Sequence, residues 1–327
     1  MVNDPKTLKH MEPRENLIAG LEAARRSLTL SVATRRFGMF AAALALLFAI
    51  PLIQLGALAF KEDLYSHVFL MPFIAGYLIW LTRHQLPAVA TPTPVGATVF
   101  AGLGLLLIIA FGVMAFSGSR LPRNDSLALT IGAFVCSLAS AAFLNFGWNV
   151  IRVVALPSAL FLFLIPFPTA VRHWLEVSLQ HSSAEVSYWL LQLTQVPVLR
   201  EGVVFHLPGI TIQVAEECSG IRSSFVLFIT GLIAGYMFLE RPWNRLWFAL
   251  ITIPLGIVRN GFRVMTLSLL CVHIDPEMIH SPIHHRGGPI FFVLSLIPLF
   301  ALLLFVRKRE QARLKQAKSI PIDAPRP

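Results

Sequence analysis

Three short polar clusters interrupt an otherwise apolar chain. Cys218 lies in EECSGIRSS, Arg259 and Arg263 lie in VRNGFRV, and His284 and His285 lie in IHHRGG. A thiol, a guanidinium and an imidazole can together attack a carbonyl. The thiol must ionise first, and an ordinary cysteine pKa of about 8.5 leaves it mostly protonated at neutral pH. A helix N-terminus and nearby cations favour the thiolate. Ser219 is a candidate N-cap for a helix that would begin just after Cys218, and Arg222 follows one turn later. Glu216 and Glu217 would oppose ionisation. The plainer reading of Cys218 is a small buried hydrophobe, and that reading is adopted for Cys136 and Cys271.

Arg263 lies seven residues before Leu270, where the helix is expected to end, so about 10 Å inside it. One arginine there could snorkel to the headgroups. Arg259 falls one turn deeper on the same face, with Asn260 beside it, and the stripe reads as a polar cleft. A histidine that exchanges protons near neutral pH is the expected partner of a cysteine nucleophile. Either His284 or His285 could serve, and Gly287-Gly288 permits a tight turn after them. The alternative is a solvated interfacial histidine, as for His206, His273 and His280.

Other chemistries lack their residues. No Asp or Glu lies well inside an apolar run, which disfavours an aspartyl centre or a carboxylate relay. Lysine is absent from residue 62 to residue 307, so a Ser-Lys pair has no base. HExxH, GxSxG and GxxxxGK[ST] are all missing. The three cysteines form no CxxC pair. Neither a metal nor a cofactor is expected.

The elements that must position these clusters follow from composition. Of the 327 residues, 56% are hydrophobic and 13% charged, where a soluble domain has about 25% charged. An all-α polytopic membrane protein is the class that fits. Crossing the bilayer takes about 20 apolar residues. Eight such stretches lie at roughly 38–60, 66–82, 95–116, 126–146, 153–168, 221–239, 246–270 and 288–306. Around them, residues 1–37 form a basic N-terminal segment, and 307–327 a basic tail expected to be disordered. The net charge of +10 does not imply nucleic acid, because the basic residues sit at the ends of apolar runs. With both termini cytoplasmic, 18 of the 27 Lys and Arg lie inside, as the positive-inside rule requires. Between the fifth and sixth stretches, Val171–Val196 reads as an amphipathic interfacial helix. The alternating VVFHLPGITIQVAEE then reads as a β-hairpin turning at Pro208-Gly209. Counting spans sends all three polar clusters to one outer face.

Taken in order, these segments resemble the exosortase/archaeosortase family of membrane cysteine transpeptidases, in particular the bacterial exosortases. The resemblance covers roughly residues 40–306. It rests on DLYSHVFLMPFIAGYLIW, LFLFLIPFP, LREGVVFHLPGITIQVAEECSGIRSS, IPLGIVRNGFRVMTLSLL and IHHRGGPIFF. It implies catalytic Cys218, Arg263 and His284, with His285 an open choice; the positions of Arg222, Arg259, Asn260 and His285 beside them suggest supporting or substrate-binding roles. It further implies cleavage of C-terminal sorting signals on exported proteins through an acyl-enzyme thioester. Such a signal has a short motif, one membrane helix and a basic end. The implied location is the bacterial inner membrane, with the site facing the periplasm. Two competing readings are a flippase for an anionic lipid-linked glycan, using Arg259 and Arg263, and a membrane scaffold.

Overall fold

The computed structural model describes residues 31–87, 91–117, 121–214, 219–280 and 287–318. The chain divides into two compact units, Met1–Thr169 and Ala170–Pro327. Among the described residues, six helices are long and apolar enough to cross a membrane, or eight if each of two bent pairs is one span. The chain is an all-α polytopic membrane protein with one small sheet.

The first unit opens on a bent pair, α1 (Ser31–Leu47) and α2 (Ala49–Lys61), meeting at 75°. Pro51 accounts for the break. It has no N–H to give to Leu47, and its ring crowds that carbonyl. Residues 31–37, ahead of the expected edge at 38, are already helical. A 3₁₀ segment, Asp63–Phe69, leads into α3 (Met71–Thr82). Two long helices follow, α4 (Pro94–Phe116) and α5 (Arg123–Asn145). They lie close together: Gly104 packs on Ala133, and Ser140 donates a 2.8 Å hydrogen bond to the Ala97 carbonyl.

The fifth expected stretch, 153–168, is not a straight span. After a short helix, α6 (Gly147–Ile151), the stretch breaks into a second short helix, α7 (Ala155–Ala159), a 3₁₀ turn at Leu160–Leu164, and extended backbone at Ile165. Pro157, Pro166 and Pro168 are the cause, because proline withholds a helical N–H and pushes the preceding residue to extended geometry. The stretch passes as a span only when joined to the next helix, α8 (Thr169–Leu193).

The second unit contains α8, a three-stranded antiparallel sheet, and three long helices. The expected hairpin is present as β2 (Val204–Leu207) and β3 (Ile210–Gln213), joined through Gly209 at φ +82°. A further strand, β1 (Leu199–Glu201), pairs with β2. The helices are α9 (Ile221–Phe238), α10 (Pro242–His273) and α11 (Gly288–Lys318). Helix α11 runs well past residue 306, into the segment that the sequence assigns to a disordered tail. The run REQARLKQAK is rich in good helix formers, which explains the extension.

Helix α8 buries a face of mostly small and polar residues and leaves large aromatic and aliphatic side chains exposed beside polar ones such as His181 and Glu185. Gln180, Ser183, Ala184, Ser187 and Leu191 are buried, while Trp174, Trp189 and Leu193 are exposed. Small buried residues let a neighbouring backbone come close, and large apolar ones suit lipid or the interface.

Candidate active site

The site is built where α8, α9 and α10 approach through small residues. Along α9 and α10, Gly235 packs on Phe248, Gly231 on Thr252, Ser224 on Gly256, and Gly220 on Asn260. Contacts climb one helix as they descend the other, so the two run antiparallel. The same test applies to α10 and α11. The Phe262 and Phe291 rings lie 6.2 Å apart, and Glu310 reaches the backbone of Glu240 and Arg241. The start of α9, the second half of α10 and the start of α11 therefore share one end of this unit.

At that end Gly220 is the N-cap residue of α9, with φ +77°. This corrects the expectation that Ser219 caps the helix. No side chain caps α9, and the Ser219 hydroxyl is buried without a hydrogen-bond partner among the described residues. The left-handed backbone suits glycine, and so does the space. A Cβ on Gly220 would sit 2.7 Å from Cγ of Asn260.

Asn260 is 1% exposed and Arg259 7% exposed. The Arg259 Nη2 donates to Ser223 Oγ at 2.5 Å, tying α10 to the first turn of α9. Its Nη1 is buried and finds no hydrogen-bond partner among the described residues. Arg263 lies one turn further on and is half-buried, near enough for its charge to act on Arg259. Helix α10 ends at His273 rather than near Leu270. Arg263 is thus about 15 Å, not about 10 Å, from the helix end. Arg222 is exposed on the first turn of α9.

The other flank of α10 is held by α8. A Cβ on Gly261 would meet Val186 at 2.7 Å, and Ser187 Oγ donates to the Gly261 carbonyl at 3.2 Å. The sheet packs over the same half. Phe205, Leu207, Ile212 and Val214 share a core with Ala184, Leu191, Val264 and Cys271. Gln180 Nε2 donates to the Val214 carbonyl at 2.6 Å, fixing the strand that leads towards residue 218. A cavity of about 220 Å³ opens beside Arg259, walled by Leu190, Leu255, Val258, Phe262 and Phe291.

Cys218, His284 and His285 lie outside the described residues. Their described neighbours in sequence do not. Ser219 and Gly220 follow Cys218, and Gly287, which precedes α11, accepts backbone hydrogen bonds from Ile290 and Phe291. Both neighbours belong to the end of the unit that carries Arg259, Asn260 and Arg263. The transmembrane exosortase family model matches residues 57–301. The chain belongs to the transmembrane exosortase family. No curated protein and no solved structure was found to match it.

Within this exosortase, two family-like segments of the first unit carry structure. His67 of the Tyr-Ser-His segment is buried, with Nδ1 3.0 Å from the Leu64 carbonyl and Nε2 3.1 Å from the Phe163 carbonyl. It clips the 3₁₀ segment at 63–69 to the one at 160–164. Tyr65 is also buried, and its hydroxyl accepts from Asn124 Nδ2 at 3.4 Å.

Residues outside the three polar clusters, and others within them that carry no charge, prove central to the packing. Ser223 holds Arg259, and Gly220, Gly256 and Gly261 allow the close approaches. The signal that could have found them is the density of Gly and Ser opposite one another in segments that must pack as helices.

Proposed function

We propose that this exosortase is a membrane-embedded cysteine protease and transpeptidase that cleaves C-terminal sorting signals from exported proteins. Cys218 is the nucleophile. Its thiolate attacks the scissile carbonyl carbon, a C–S bond forms, and the C–N bond to the leaving segment breaks. His284, or His285 in its place, takes the thiol proton and returns it to the departing amine. Arg263 donates hydrogen bonds to the oxyanion of the tetrahedral intermediate. Arg259 and Asn260 hold α10 and the start of α9 in register, and Arg222 contacts substrate. The acyl-enzyme thioester is resolved by an acceptor amine or by water, which regenerates the thiol.

The observation that supports this reading is the antiparallel packing of α9, α10 and α11. It brings Ser219 and Gly287, the described residues nearest in sequence to Cys218 and His285, to the end bearing Arg259 and Arg263. A buried and a half-buried guanidinium with no carboxylate on their own helix suit a site where negative charge develops transiently. The substrate's membrane helix lies in the bilayer beside the enzyme, with its basic end inside and its motif level with the site. The basic residues at the inner ends of the spans support a cytoplasmic-type membrane, with the site on the outer, periplasmic side of the bacterial inner membrane.

The deciding experiment co-expresses a protein bearing a motif, a membrane helix and a basic end, and identifies its new C-terminus by mass spectrometry. Wild type should yield the processed form, and Cys218→Ala should leave it uncut while still inserting in the membrane. Full processing by Cys218→Ala would refute the assignment.

A further inference from the structure

The far end of the second unit, where α10 begins, carries a cleft that the proposed reaction does not use. Its organising residue is Glu310 of α11, which is 3% exposed. One carboxylate oxygen accepts from the Arg241 N–H at 2.6 Å and the other from the Glu240 N–H at 3.1 Å. These amides head α10 and have no partner within that helix. The carboxylate is therefore committed to the backbone and pins α11 against the start of α10.

That anchor orients the rest of the α11 face. Val306, Arg309, Glu310 and Arg313 fall at spacings of three, four and seven residues, on one stripe. Opposite them stand Arg241 and Asn244. Together with Phe305 they line a cavity of about 210 Å³. The guanidinium groups of Arg241, Arg309 and Arg313 have no hydrogen-bond or ion-pair partner among the described residues. Arg309 lies over the Phe305 ring at 4.4 Å. Arg245 nearby shows the usual alternative, spending its Nε on the Leu239 carbonyl at 2.7 Å and its charge on the Tyr236 ring.

We propose that this cleft binds the phosphate headgroup of an anionic phospholipid. Three convergent guanidinium groups match a phosphate monoanion or dianion in charge and in hydrogen-bonding geometry. Phe305 and Val306 continue the cleft into the apolar part of α11, where acyl chains run. The level is that of a membrane surface, because the apolar part of α11 gives way to Arg307-Lys308-Arg309 there. A basic pocket between helices at that level is a recognised lipid site. A soluble anion would have no use for the apolar wall.

The test uses the full-length protein purified in neutral detergent. Cardiolipin, phosphatidylglycerol, phosphatidylcholine or inorganic phosphate is added, and binding is read by native mass spectrometry and by the thermal midpoint. The two anionic lipids should bind and raise the midpoint, and phosphatidylcholine should not. The Arg309→Gln/Arg313→Gln double variant should weaken anionic-lipid binding about twenty-fivefold, or about fivefold per arginine. Arg241→Gln alone should weaken it about fivefold and serves if the double variant does not fold. Arg83→Gln and Arg152→Gln should leave binding unchanged. Equal lipid affinity in wild type, Arg241→Gln and any folded double variant would overturn the proposal. So would an equal loss from Arg83→Gln, or protection by inorganic phosphate as strong as that by lipid.

Discussion

The Gly220 backbone lies against the Asn260 side chain so closely that a Cβ at position 220 would come 2.7 Å from Asn260 Cγ and 2.9 Å from Oδ1. Gly220 also holds a left-handed φ of +77°. Two separate costs therefore meet at one residue. Gly209, at φ +82° with no atom within 4 Å of where a Cβ would sit, carries only the first. Gly209→Ala is expected to lower stability by about 1 kcal/mol and Gly220→Ala by about 3 kcal/mol. Thermal unfolding in detergent checks the difference. Adding Asn260→Ala to Gly220→Ala should recover part of the second loss. Equal midpoints for the two single variants would show that the contact is unimportant.

Ser223 and Ser224 are neighbours with opposite expectations. Ser223 Oγ accepts from the buried Arg259 Nη2, so Ser223→Ala strands a charged donor and should cost about 2 kcal/mol. The Ser224 hydroxyl is buried with no hydrogen-bond partner among the described residues, so Ser224→Ala removes an uncompensated desolvation and should be neutral or slightly stabilising. Unfolding midpoints of both variants, measured side by side, test the pair. A larger loss from Ser224→Ala would reverse the account.

His67 is expected to act through folding of the first unit. Each ring nitrogen faces a backbone carbonyl, one near in sequence and one 96 residues away. His67→Leu keeps the bulk and strands both carbonyls, at a cost of about 2 kcal/mol. His67→Gln can keep one donor and should cost less. Limited proteolysis should show faster cleavage in the first unit for the leucine variant. Unchanged protection would mean that water replaces the ring without loss.

The sequence made the polar clusters and the apolar runs legible because charge is costly in a bilayer and so stands out there. Arg259 and Asn260 are visible on those grounds, and both prove buried. The hairpin at Pro208-Gly209 was visible from its turn residues. The break at Pro51 and the dissolution of 153–168 were harder, because apolar runs score alike whether straight or bent, and only the prolines distinguish them. At the α9 cap, Ser219 fits capping statistics, whereas the close approach of Asn260 selects Gly220. That approach depends on a residue forty positions away.

Glu310 is a single acidic residue between basic neighbours, and the structure gives it a fixed duty at the start of α10. Glu310→Gln keeps one acceptor oxygen and should lower stability by about 1 kcal/mol, and Glu310→Ala by about 2 kcal/mol. Because the loss lies at the far end from Arg263, neither variant should change the reactivity of Cys218 towards a membrane-impermeant thiol reagent. A changed labelling rate would show that the two ends of the second unit are coupled.

Arg263 provides the sharpest chemical test of the proposed mechanism. Lysine preserves the positive charge but presents a point donor in place of a planar fork. If the guanidinium meets the oxyanion with directed hydrogen bonds, Arg263→Lys should slow processing about a hundredfold or more, since one oxyanion donor is commonly worth that much. Insertion, the thermal midpoint and labelling of Cys218 should stay close to wild type, because lysine keeps the positive charge and the length of the side chain. Single-turnover cleavage separates chemistry from substrate capture. A lysine variant that forms the acyl-enzyme at the wild-type rate would remove Arg263 from the transition state. The oxyanion would then need a donor elsewhere, and the spare Nη1 of Arg259 would be the next candidate to test.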